Sequence, residues 1–309
     1  MRFDDVTGII GETPLVGINR LSPNPNVRIW AKLEGQNPTG SLKDRIAHFM
    51  IASAEASGDL TDKRILLEPT SGNTGISLAF LARRKGYRIV CVMPDSASPE
   101  RALLIEAFGG EVVFSPGEQG SNGAIEVAKK MALDPKYLML YQYGNEANPR
   151  AHYETTGPEI LRDLPEVTHF VAGLGTGGTL TGVGRFFREQ KPEVKMIAAE
   201  PEQGDLVYGL RSLDDGFIPP VFDETLLHSK IKVTAKDSVI WTRDLAAQEG
   251  IFAGISAGAT VHVARRLAER IDHGDIVCLF ADGGWKYIST EIWTRQVDEA
   301  AKGVEYMPW

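Results

Sequence analysis

The stretch THFVAGLGTGGTLTGVGRFFREQ, residues 168–190, contains a complete unit of architecture. THFVAGL is a short apolar run bounded by turn signals and reads as a strand, TGVGRFFREQ reads as a helix, and a glycine cluster joins them. Strand, tight turn and helix are the parts of a parallel sheet with crossover helices. The same alternation runs through almost the whole chain. RILLEP, YRIVCVMP, EVVFS, KYLMLYQ, VKMIAAE, KIKVTA and DIVCLFA read as further strands. LKDRIAHFMIASAEASG, TGISLAFLARRKG, SPERALLIEAFGG, SNGAIEVAKKMALD and ATVHVARRLAERI read as the helices between them. The class expected is α/β. About eight such repeats suit one barrel or two open sheets, and length does not choose between them.

The 309 residues suffice for two domains with buried cores. The Pro- and Asn-rich stretch from Gly144 to Glu159 is the best candidate for a crossing between halves, and residues 202–228, rich in Gly, Asp and Pro, read as a long functional loop. A net charge of −8 provides no basic field for nucleic acid or an anionic membrane. No apolar run approaches the roughly 20 residues of a membrane span, and the start, MRFDDVTGII, is acidic where a secretory signal is basic, so a cytoplasmic protein is expected. Cys91 and Cys278 lie in apolar runs, and no clustered His/Cys pattern points to a metal.

Four loops could carry chemistry. GLGTGG, Gly173 to Gly178, contains G-x-G-x-x-G between a strand and a helix, and Glu200 follows at the end of VKMIAAE, which matches a dinucleotide-binding fingerprint. The same backbone N–H groups at a helix start could instead cradle a single phosphate, with hydroxyls from Thr176 and Thr179. A tight turn without a ligand is the third possibility. EPTSGNTG, Glu68 to Gly75, crowds Thr70, Ser71, Asn73 and Thr74 at another helix start. One such residue is an ordinary N-cap, but four suit a carboxylate or phosphate site. GIFAGISAGA, Gly250 to Ala259, places Ser256 before a third helix, where it reads by itself as a cap. In NPTGSLKDR, Asn37 to Arg45, Lys43 stands where a helix begins. Dipole and burial there both favour the neutral, nucleophilic amine, although a surface lysine is the simpler reading of the stretch alone.

Taken together, these loops resemble the fold-type II pyridoxal 5′-phosphate enzymes, in particular the cysteine synthase branch. The likeness runs nearly end to end through GETPLVGINRL, KLEGQNPTGSLKDR, EPTSGNTGISLAF, YQYGNEAN, GLGTGGTLTGVGRF, GIFAGISAGA and GGWKYIST. It implies two open, mostly parallel twisted-sheet domains of the tryptophan synthase β type, with the active site in the cleft between them. The smaller domain spans 35–150 and carries the SGNTG loop. The larger comprises 1–34 and 151–309 and carries the phosphate loop, Ser256 and the C-terminal tail.

The resemblance also implies roles for individual residues. Lys43 holds pyridoxal 5′-phosphate as an imine and later acts as the base at Cα. Asn73 bonds the ring hydroxyl oxygen, and Gly175, Thr176, Gly177, Gly178 and Thr179 cup the phosphate. Thr70, Ser71, Thr74 and Gln142 bind the substrate carboxylate. Ser256 sits at the pyridine nitrogen, where a hydroxyl does not force protonation, so the ring is a weaker electron sink that favours β-elimination. The implied reaction is β-replacement: an O-activated serine gives an α-aminoacrylate, and a sulfur nucleophile adds to it to give cysteine.

Within the branch the chain is most similar to actinobacterial O-phosphoserine sulfhydrylases, through VYGLRSLDDGFIPP, FADGGWKYIST and an aromatic tail end. This narrower likeness implies that Arg211 binds the substrate phosphate, as suits a bidentate donor. It also implies a thiocarboxylated sulfur-carrier protein or sulfide as donor, a homodimer, and a lid formed by the tail KGVEYMPW with Tyr306, Met307 and Trp309. The alternatives are an O-acetylserine sulfhydrylase using free sulfide and a catalytically inactive, partner-binding homologue. Cystathionine β-synthase and serine/threonine dehydratase fit less well, because the chain has no room for a haem segment or a regulatory domain.

Overall fold

Two sheets organise the computed structural model, which describes residues 2–305. The strands are β1 (Leu15–Gly17), β2 (Val27–Leu33), β3 (Ile65–Pro69), β4 (Arg88–Pro94), β5 (Glu111–Ser115), β6 (Tyr137–Met139), β7 (His169–Gly173), β8 (Lys195–Pro201), β9 (Ser229–Val233) and β10 (Gly274–Phe280). The helices are α1 (Lys43–Ala56), α2 (Asn73–Lys85), α3 (Pro99–Ala107), α4 (Gly120–Met131), α5 (Ala147–Ala151), α6 (Gly157–Asp163), α7 (Gly178–Gln190), α8 (Ala235–Glu249), α9 (Ile255–Ala268) and α10 (Val297–Glu305). Each strand and helix expected from the sequence is present. Tyr306 to Trp309, on which the expected lid depends, lie outside the described residues.

The six-stranded sheet has the order β1-β2-β10-β7-β8-β9, and only β1 runs antiparallel to its neighbour. The four-stranded sheet, β5-β4-β3-β6, is wholly parallel. Parallel strands are covered by helices on both faces, which explains the continuous apolar runs: every residue of β10 is buried. The chain is therefore two open sheets and not one barrel, and each sheet with its helices forms a lobe around its own core.

Between β6 and β7 the Gly144–Glu159 stretch is helical and not an extended linker. It contains α5, one π-helical turn at His152–Thr156 and the start of α6. Residues 202–228 hold only two 3₁₀ turns, as expected of a long loop. Among the described residues no helix is long and apolar enough to cross a membrane, and no group of His, Cys, Asp and Glu could hold a metal. Cys91 and Cys278 are buried, and burial pushes both thiols up.

A buried ionic cluster fastens α1 to the larger lobe. Arg45 reaches Glu34 at 2.7 Å and Glu159 at 2.6 Å, Lys32 reaches Glu159 at 2.7 Å, and Thr13 Oγ1 donates to Glu34 at 2.6 Å. Burial alone raises the Glu34 carboxyl, but Arg45, Thr13 and Lys32 overcome it and hold the group at about 2.

Open parallel sheets bind ligands beyond the carboxyl ends of their strands, where the winding direction reverses. In the larger sheet that point lies between β7 and β10, and in the smaller between β3 and β6. Loops from all four strand ends meet at one cavity.

Candidate active site

The cavity has a volume of about 310 Å³, at the small end of the roughly 300–1,000 Å³ of small-molecule sites. First-turn residues of five helices line it: Lys43 of α1, Asn73 and Thr74 of α2, Ser121 of α4, Thr179 of α7 and Ser256 of α9. Helix N-termini present unsatisfied N–H groups and positive dipole ends, so the cavity suits an anionic ligand.

Gly175, Thr176, Gly177 and Thr179 form one wall between β7 and α7. A Cβ on Gly175 would fall 2.7 Å from the Gly209 carbonyl oxygen, and Gly177 has φ +79, so glycine is required at both. Asn148 Nδ2 donates to Thr176 Oγ1 at 3.0 Å, and Thr179 Oγ1 lies 3.2 Å from His152 Nε2. Burial pushes His152 down to about 3, so the ring is neutral. Gly178 lies behind this wall, not in it. Its N–H donates to Thr176 Oγ1 at 3.2 Å, and a Cβ there would strike Asn148.

Lys43 is the first residue of α1 and faces the cavity. Leu42 N donates to Ala281 O at 2.9 Å and ties the helix start to the end of β10. Burial is the main influence that brings the Lys43 amine down to about 8; Asp282 raises it and Lys286 lowers it. Among the described residues no hydrogen bond engages Lys43 Nζ, so an unengaged amine, more readily deprotonated than an ordinary lysine, projects toward the cavity.

Asn73 belongs to a network that the sequence reading did not assign. Its Nδ2 donates to Asp282 Oδ2 at 2.7 Å, its Oδ1 accepts from Lys286 Nζ at 2.7 Å, and Tyr287 Oη also donates to Asp282 Oδ2 at 2.7 Å. One Asn73 N–H remains to be used. All three partners come from GGWKYIST and the residue before it, a segment quoted above only for its likeness.

Thr70, Ser71 and Thr74 converge with Gln142, whose Oε1 accepts from Thr74 Oγ1 at 2.7 Å. Gln142 follows Tyr141, a non-glycine residue at φ +57. Glu68 holds this turn: its two carboxyl oxygens accept from Tyr141 N at 2.7 Å and Gln142 N at 3.0 Å, contacts that oppose the burial pushing the group up to about 8. Arg211 lines the cavity from the 202–228 loop, with its guanidinium 4.6 Å from the Phe217 ring centre and 5.5 Å from that of Tyr143. Nη1 donates to Asn122 Oδ1 at 3.3 Å, and no carboxylate pairs with Arg211 among the described residues.

The donor set fits a phosphorylated pyridine aldehyde: an amine for the carbonyl, a helix-capped glycine wall for the phosphate, and the Ser256 hydroxyl for the ring nitrogen. Fold and site together define an enzyme built around pyridoxal phosphate.

Comparison with known proteins agrees. Residues 6–282 match the family model described as pyridoxal-phosphate dependent enzyme. The chain is 41% identical to cysteine synthase B of Salmonella typhimurium over 296 residues, covering 96% of this chain and 98% of that one. It is 42% identical to a probable cysteine synthase of Bacillus subtilis over 299 residues, 93% and 96% of the two chains. The solved structure of O-ureido-L-serine synthase superposes with a TM-score of 0.90 at 39% identity, over 97% of this chain and 99% of that one. The chain belongs to the pyridoxal-phosphate-dependent enzymes of fold type II, in the cysteine synthase family.

Proposed function

We propose that the protein makes L-cysteine from O-phospho-L-serine by β-replacement. The observation that carries the substrate choice is Arg211: a guanidinium in the cavity wall, braced by Tyr143 and Phe217 and unpaired with any carboxylate among the described residues. Such a group suits a dianionic leaving group better than a neutral acetyl ester.

The bound cofactor supplies an electrophilic carbon for the substrate amine and an electron sink for Cα. Lys43 Nζ holds the cofactor and, once released, takes the Cα proton as a neutral amine, for which its lowered pKa of about 8 is suited. Asn73 directs its remaining N–H at the ring hydroxyl oxygen, and Ser256 offers a neutral partner to the ring nitrogen. Thr70, Ser71, Thr74 and Gln142 hold the substrate carboxylate and so fix which face of Cα meets Lys43. Sulfur arrives as sulfide or as the thiocarboxylate end of a small carrier protein. The active form is a homodimer, and the domains are 35–150 and 1–34 with 151–309.

The test is turnover with O-phosphoserine and O-acetylserine before and after Arg211→Ala. The expected result is a phosphoserine preference that falls on the order of 100-fold on losing the charge-assisted contact. A preference that survives the substitution, or a parent enzyme that favours O-acetylserine, overturns the assignment.

A further inference from the structure

Arg101 lies in α3, which packs on the smaller lobe, yet its guanidinium rests on the larger one. It stands 5.6 Å from the ring centre of Tyr208, in the 202–228 loop, and 5.4 Å from that of Tyr287, beyond β10. Its Nη1 donates to the carbonyl oxygen of Ser71 at 2.8 Å, within the loop read above as the carboxylate site. The residue is only 5% exposed. Gly72 has φ +153, and a Cβ there would fall 2.4 Å from Arg101 Cδ, so the loop backbone lies directly on the arginine stem. Tyr287 bonds Asp282, which bonds Asn73 at the far end of the same loop. One side chain thus touches the substrate loop and two aromatic rings from the opposite lobe.

We propose that Arg101 is a positioning residue for the amino-acid substrate. By gripping Ser71 while seated on Tyr208 and Tyr287, it sets the register of the Thr70–Thr74 loop across the cleft before substrate arrives. A cation on two rings is worth most where water is excluded, as it is here. The inference rests on the reading of that loop as the carboxylate site. It predicts an effect on recognition of the carboxylate and none on retention of the cofactor.

The probes are L-serine, which has the carboxylate but lacks a good leaving group, and ethanolamine, which lacks the carboxylate. Their binding to the cofactor-loaded enzyme is followed by the change in visible absorption. Arg101→Met is expected to weaken L-serine about 10- to 100-fold, the span of ordinary coupling energies, and to leave ethanolamine within about twofold. KM for the activated serine rises more than kcat falls, and Arg101→Lys restores part of the loss. Tyr208→Phe, which keeps the ring, retains more of the L-serine affinity than Tyr208→Leu; Tyr208→Leu repeats the Arg101→Met loss, and the double variant loses little more. Equal weakening of both probes, or additive losses in the double variant, overturns the proposal. If the parent enzyme itself fails to prefer L-serine over ethanolamine, the carboxylate-loop reading is what falls. Should Arg101→Met not fold, the Tyr208 pair carries the same test.

Discussion

Lys286 Nζ donates to Asn73 Oδ1 at 2.7 Å, which fixes the orientation of the Asn73 amide: its oxygen points to the lysine and its nitrogen to Asp282. An amide oriented in this way keeps one N–H to offer toward the cavity. The functional consequence is that Asn73 meets the cofactor as a donor.

Lys286 also acts through its charge. It is buried, burial brings it down to about 8, and it lowers the Lys43 amine. Lys286→Met removes a like charge, so the Lys43 pKa rises and the limb of the kcat profile that reports the free base moves to higher pH, by on the order of one unit. Titrating kcat from pH 6 to 10 in parent and variant checks this. An unmoved limb removes Lys286 from the electrostatics of Lys43.

The ionic cluster beneath α1 makes a separate prediction. Glu34 is held at about 2, below its ordinary 4.5, so its contribution to stability is present above the unfolded value and is lost as pH falls toward 2. Urea midpoints measured from pH 6 down to 2 are expected to fall across that window in the parent, and less steeply in Glu34→Gln. Arg45→Met, which leaves Glu34 and Glu159 buried without their main partner, is expected to lose about 3–5 kcal/mol.

Glu68 supports the strained Tyr141 turn with both carboxyl oxygens. A glutamine has only one acceptor oxygen, so Glu68→Gln leaves a buried N–H unpaired, costs about 1–3 kcal/mol, and loosens Gln142. KM for the activated serine rises while the visible absorption of the loaded enzyme stays in place. A variant with parental KM separates the turn from substrate binding.

The sheet strands that carry the site were legible because parallel strands buried on both faces are written as unbroken apolar runs, as in β4 and β10. Strand β2 escaped the reading because Arg28 and Lys32 interrupt its pattern. Lys32 is nevertheless fully buried, which its pairing with Glu159, distant in sequence, and its hydrogen bond to the Thr13 carbonyl oxygen make possible. Helix α8 carries a readable start as well: Thr234 and Asp237 form a capping box. In the site, residues in the glycine- and hydroxyl-rich turns could be read locally, because each turn is itself a strand-to-helix junction. Asp282, Lys286, Tyr287, Arg101 and Tyr208 could not. Asn73 and Asp282, for example, are 209 residues apart and meet only because two switch points face each other.

The role of Lys43 is open to direct chemical test, because the structure offers a rival amine. Lys286 is buried and is brought to the same value of about 8, but it stands behind Asn73, outside the cavity wall. Borohydride reduction of the cofactor-loaded enzyme, followed by peptide mass spectrometry, locates the lysine that holds the cofactor. The expected product carries the reduced pyridoxyl phosphate on Lys43 alone. A label on Lys286, or an unlabelled Lys43, would overturn the mechanism proposed for this site.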